Sequence, residues 1–484
     1  MLESFGLNPK ASQQSDNLME TRGWIVLILL FASSHVSAAR VHQYHVTVAP
    51  DLGSLRVRAQ LSSPVSQLRS RDREASRHTR DVIDCGAGGR LEVSGRTLRS
   101  RAATCIQYEF DLTAERPTRR RSFLLQFPDN RLVSPASWLW LPRLEADTEI
   151  RVSFDLPEGV NVSVPWLPVD DAGENAYRFG TSPASSEAIA VFGDFSYHEI
   201  DVPGATLRIT LLQGEEPTNP EDLVSWLRAA AGNLTHVYGR FPNPSPQVIV
   251  VPISSFGNSA VPFGRVIRDG GEAVQFFVNP SRSLEDYLGD WTATHEFSHL
   301  LLPYVSGRQK WISEGFASYY QNVLMARSGA YSETKAWQKL HEGFERARAE
   351  RPTSPNNARS RMMVYWSGAA IALLADVALR SSADDASLDA LLDKLQACCL
   401  PSERTWGGRE LFAKLDELGE TEVLSGLYRR YANRQGMPDL MPLYQQLGIE
   451  IRDGKVHLDD AAEHTSLRRA IMAPNTRVTV SRAR

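Results

Sequence analysis

The sequence predicts an α+β multidomain protein, and three observations carry that expectation. Its 484 residues exceed what one core of roughly 100–200 residues takes up. From 42 to 212, segments in which apolar and polar residues alternate recur between turn residues, the mark of half-buried strands. After Pro217 the apolar spacing changes to three and four residues and, apart from two strand-like runs, keeps that period to about Leu447, as in amphipathic helices. Hydrophobic content of 42% and charged content of 23% are those of a folded body rather than a disordered one. The formal charge of −4 gives no support to a general nucleic-acid binder.

Residues 1–39 read as an export signal. Arg22 precedes an apolar run over 24–31, followed by small residues and the triplet Val36-Ser37-Ala38, which fits a signal-peptidase site. The run is short for a bilayer span, so no membrane span is expected after cleavage. Such signals begin near their basic residue, which makes Met19 a better start than Met1. An uncleaved anchor is the alternative reading. Export implies a periplasmic or secreted protein.

Residues 40–212 are expected to form an all-β domain. Alternating segments occur at 44–48, 55–61, 106–112 and 150–156, with turns at Gly86-Ala87-Gly88-Gly89 and Pro157-Glu158-Gly159. The run Trp138-Leu139-Trp140-Leu141 predicts a heavily buried strand or interface. Arginine-rich stretches at 69–80 and 116–121 read as solvated loops. Cys85 and Cys105 flank a strand-turn-strand segment, and in an oxidising compartment they are expected to pair.

A second domain is expected over 217–330. A helix begins it, with Leu223, Trp226, Leu227, Ala230, Leu234 and Val237 on one face and Gly239 at its end. Apolar strands follow at 247–252 and 273–278, then a long helical pattern over 284–302 that Pro303 stops. A further helix is predicted over 311–327, with Gly329 as terminator. Residues 331–451 read as a mostly helical domain, and 452–484 as a C-terminal tail. Adjacent Cys398 and Cys399 are expected as two reduced thiols or one intermolecular bridge, because a bond between neighbours is strained.

The helix over 284–302 carries His295-Glu296-Phe297-Ser298-His299. Residues four apart share one helix face, so the imidazoles of His295 and His299 can meet at one point. Glu296 lies about 100° around the helix, outside a coordination sphere yet close to a metal-held water. A catalytic zinc site needs a third protein ligand and an open position, and Glu314 on the following helix is the natural carboxylate. One zinc ion per chain is therefore expected, with His295, His299 and Glu314 as ligands and Glu296 as catalytic base.

These residues, with the stretch from Trp311 through Ser313-Glu314-Gly315-Phe316 to Tyr320, resemble the gluzincin zinc metallopeptidases. The likeness is nearest to the glycyl aminopeptidases and more distant to the aminopeptidase N-like enzymes, and it covers roughly 217–451. It implies a thermolysin-like α/β catalytic domain completed by the helical domain, a peptide or protein substrate, and a transition-state role for Tyr365 in Val364-Tyr365-Trp366-Ser367-Gly368. The family's substrate strand carries an acidic residue for the free amino terminus, where this chain has Phe263-Gly264-Arg265-Val266-Ile267. Aminopeptidase and endopeptidase action thus both stay open. The strand over 273–278 is expected either to pair with substrate or to lie buried in a sheet, and Arg265 to meet a substrate carboxylate or solvent. A non-catalytic zinc-containing binding or scaffold protein is the reading from another class, and the intact Glu296 argues against it.

Overall fold

The computed structural model describes residues 40–474 except 114–128, 146–147, 170–172, 181–187, 215, 217, 254–256, 383–385 and 403. The signal segment, the arginines at 116–121 and the last ten residues lie outside the described residues.

The chain starts in a sheet ordered Thr79–Asp84, Thr97–Asp111, Ser54–Arg69, Arg40–Val48, Thr148–Asp155, Ala176–Phe179 and Leu167–Pro168, with Glu92–Ser94 paired to the second of these. Strict alternation buries Tyr44, Val46 and Val48 on one face and leaves their neighbours facing outward. Their partners Ala59, Val57 and Leu55 are buried with them, as the pleat requires. A small sheet of Asn130–Val133, Ala190–Gly193 and Asn161–Ser163 follows. Residues 138–141 are buried as expected, but as a helical turn running into extended chain rather than a strand. Cys85 is bonded to Cys105.

The sheet that supports the site is ordered Ser196–Val202, Ala205–Leu211, Gln247–Pro252, Glu272–Val278 and Phe263–Arg268. Its first two strands lie before residue 212, so it begins inside the segment expected to belong wholly to the β-domain; alternation reveals a strand but not which sheet recruits it. Glu272–Val278 is buried at every position and is paired on both edges. Of the two readings left open for it, the sheet-core one holds, and the free edge belongs to Phe263–Arg268. Arg71, from the stretch read as solvated, reaches the buried carboxylate of Asp269 at 2.6 Å.

Helix Pro220–Tyr238 is capped by Asn219, whose side chain accepts from Glu221 N–H, and ends at Gly239 in the left-handed region, as its sequence signals foretell. The single helix expected over 284–302 is instead two. Leu284–Gly289 ends at Asp290, whose backbone is extended. The Asp290 carboxylate accepts from Thr292 N–H at 2.7 Å, starting Thr292–Ser298 afresh, and a 3₁₀ turn, His299–Leu301, completes it. A short aspartate side chain competes with the helix for its own backbone donors, which apolar periodicity does not register.

Lys310–Arg327, Glu333–Arg348 and Arg361–Ser382 begin the helical region. Among the described residues Arg361–Ser382 is the one helix long and apolar enough to cross a membrane, and its central residues pack into the main core. The described part of the expected tail is folded: Lys455–Leu458 pairs with Ile449–Arg452, and helix Thr465–Met472 buries Ile471, Met472 and the guanidinium of Arg468. Cys398 and Cys399 are bonded to each other, contrary to both readings of their adjacency.

Candidate metal centre

His295, His299 and Glu314 come together so that one ligand atom from each lies within 4.8 Å of the others. The two histidines project from Thr292–Ser298 and the turn after it; Glu314 comes from the second turn of Lys310–Arg327. Both Nε2 atoms stand 3.5 Å from the same Glu314 Oε2. That oxygen is buried without a hydrogen-bond partner, an arrangement that is costly unless something else satisfies it.

The far nitrogens of both rings are held. His295 Nδ1 lies 2.7 Å from Gln321 Oε1, and His299 Nδ1 lies 2.9 Å from Ser313 Oγ. Each contact fixes a ring and leaves its Nε2 for a metal. Gln321 stands two helical turns beyond Glu314, so its spacing of seven was available to find it. The Ser318 hydroxyl, one turn beyond Glu314, holds neither ring; it is buried and unpartnered. Two nitrogens and one carboxylate oxygen, converging and already oriented, form a donor set that suits a zinc ion with one open position.

Burial pushes the Glu314 carboxyl up, but facing His299 and His295 more than offset it and hold the group well below the usual carboxylate range. Glu296 behaves oppositely. Burial raises its pKa, and the two histidines only partly counter that, leaving a stronger base. Its side chain packs against Gly264 of the free edge strand. The ring of Tyr365 stacks on His295, with centroids 5.7 Å apart and planes 3° from parallel. Burial and the neighbouring Glu314 carboxylate push the phenol upward, so it stays a proton donor. Trp291, 42% exposed, meets the other side of His295 edge-on at 5.6 Å; sequence reasoning missed it.

Arg268 braces the cluster from behind. It donates to the carbonyls of His299 and Leu302 at 3.0 and 2.9 Å and pairs with Glu272 at 2.7 Å, satisfying carbonyls at the helix end. Arg265, offered above as a substrate contact, donates to Gln275 within its own sheet at 2.8 Å. The tyrosines of the motif lie elsewhere: Tyr319 and Tyr320 donate to Asp376 and Asp389 at 2.7 and 2.9 Å, tying this helix to its neighbours.

Residues 303–369 match the sequence profile of the M61 glycyl aminopeptidase family. No curated protein matches the chain. Among solved structures, an aminopeptidase N family protein from Idiomarina loihiensis is similar over 85% of this chain and 79% of its own, at TM-score 0.60 and 14% identity. An M1 zinc metallopeptidase from Deinococcus radiodurans, solved as a mutant with a Tyr-Ser-Ala substrate, is similar over 83% and 95%, at TM-score 0.50 and 13% identity. At such identities the structures establish a common fold. The profile match spans both Glu314 and Tyr365, so the segment that carries the carboxylate and the phenol is similar to that family, and the chain as a whole shares the fold of the two solved peptidases.

Proposed function

We propose that this protein is an exported, zinc-dependent peptidase that hydrolyses peptide bonds with Glu296 as general base. The observation that carries the reading is the convergence of two ring-locked histidines on an otherwise unsatisfied oxygen of Glu314, with Glu296 and Tyr365 beside them. The non-catalytic binder has no comparable support. Two disulfides within the chain favour an oxidising compartment, in keeping with the leader-like segment.

When bound, zinc supplies a Lewis acid that polarises the scissile carbonyl and acidifies the attacking water. The chain does the rest. An extended peptide lies along the free edge of Phe263–Arg268, where backbone groups can pair with it. Gly264 lets the main chain approach Glu296 without a side chain between them. Glu296 takes the proton from water and returns it to the leaving amine. Tyr365 donates to the oxyanion as charge develops there.

Arg265 follows Gly264, and strand Phe263–Arg268 carries no carboxylate; Asp269, just past its end, is paired with Arg71, and Glu272 on the neighbouring strand with Arg268. This favours cleavage without recognition of a free amino terminus. The aminopeptidase reading draws on the profile match. Purified protein and Glu296→Gln, each loaded with zinc, should be assayed on paired peptides with free and acetylated amino termini. Stoichiometric zinc in both, with hydrolysis by the parent alone and no loss on acetylation, is the expected result. Loss of cleavage on acetylation would restore the aminopeptidase reading, and zinc without any hydrolysis would count against the enzyme.

A further inference from the structure

A cavity of about 620 Å³ opens beside the metal cluster, with Glu314 and Tyr365 in its wall. Its other lining includes four cations, Arg308, Lys310, Arg359 and Arg361, and among the described residues that line it Glu314 is the only acidic one. The four come from two distant segments. Arg308 and Lys310 lie in the connection leading into the ligand helix and at its start; Arg359 and Arg361 lie just before and in the first turn of the tyrosine helix.

Gathering four like charges costs Coulomb energy, in a chain whose formal charge is −4. Buried arginines among the described residues are satisfied: Arg268, Arg327 and Arg468 each pair with a carboxylate, and Arg208 donates to the carbonyls of Val164, Trp166 and Ser245. These four are not. None forms an ion pair or side-chain hydrogen bond with another described residue, and all are exposed to solvent in the cavity. Glu314 cannot neutralise them, because its carboxylate is turned to His295 and His299. Arg361 stands one helical turn before Tyr365 and acts on its phenol through charge, which puts this positive wall within reach of the reacting groups. A cleft lined by one sign of charge concentrates its field on an incoming ion of the other, and guanidinium groups bind carboxylates through paired hydrogen bonds.

We propose that this wall selects peptides bearing a carboxylate near the scissile bond, making acidic peptides the preferred substrate class. The inference rests on the peptidase reading and adds to it the chemistry of the substrate. The carboxylate has two sources, an Asp or Glu side chain or the free carboxyl terminus of a short peptide.

The test uses zinc-loaded protein and quenched fluorescent peptides that carry Glu or Gln at successive positions on both sides of the cleaved bond, each as free acid and as carboxyl-terminal amide. A preference for the carboxylate of about tenfold or more in kcat/KM is expected, weakening with added salt and collapsing towards unity in the double variant Lys310→Gln/Arg359→Gln. A preference that follows Glu but ignores amidation assigns the side chain, and the reverse assigns the terminus. Ratios near one in the parent, or ratios unchanged in the double variant, would overturn the proposal, while cleavage of the neutral peptides would leave the peptidase reading standing. If no peptide is cleaved, the peptidase reading fails by itself, and calorimetric binding of the same peptides to Glu296→Gln decides the selectivity. Tighter binding of the acidic members supports the wall's role; equal or absent binding sinks it.

Discussion

Gly264 lies so close to Glu296 that a Cβ on residue 264 would come within 2.5 Å of the glutamate Cγ. The edge strand and the Glu296 side chain thus share a space with no room for a methyl group. Gly264→Ala is expected to displace Glu296 and lower kcat/KM by about 100-fold, the scale of a misplacement near 1 Å, while the three ligands keep their metal. Steady-state kinetics beside zinc analysis checks this, and activity within twofold of the parent would contradict the placement of Glu296.

Gln321 anchors His295 through its side-chain amide. Gln321→Leu should weaken zinc affinity by about 10- to 100-fold with little change in global stability, read by competition against a chelator. Unchanged affinity would mean that the ring is oriented by packing alone.

For Tyr365→Phe the expectation is a loss in kcat of about 10²–10³, the scale for removal of one oxyanion donor, with KM little altered. The ring that stacks on His295 is retained, so zinc content should stay stoichiometric. A kcat reduced less than tenfold would remove Tyr365 from the transition state.

Arg268→Met strips the carbonyls of His299 and Leu302 of a donor and leaves buried Glu272 without its cation. Breaking a buried pair from one side costs about 3–5 kcal/mol. Urea unfolding should show that loss, and a double variant that also carries Glu272→Leu should recover part of it. Equal stability of parent and Arg268→Met would show that water enters and solvates the pair.

His295 and His299 were legible because helical spacing fixes residues four apart on one face whatever surrounds it. Glu314 and Tyr365 were legible through motif resemblance. What sequence did not convey was context. The break at Asp290 turns on one side chain capping the next helix, and the fully apolar run over 273–278 reads the same at a sheet's centre as at its border. Gln321 is not marked by the motif: the helix face that meets His295 returns two turns after Glu314, not one. Trp291 and Gly264 have no pattern of their own; only the fold brings them to the cluster.

Helices Lys310–Arg327 and Arg361–Ser382 cross at Gly315 and Gly368, where a Cβ on either residue would run into the other helix's backbone. Glu314 directly precedes one member of this crossing, and Tyr365 lies three residues before the other. The ligand and the phenol therefore ride on one inflexible joint, whereas Arg308, Lys310 and Arg359 sit outside it. Mutation can therefore recast the charge of the cavity wall while the spacing of Glu314 and Tyr365 stays as the crossing sets it.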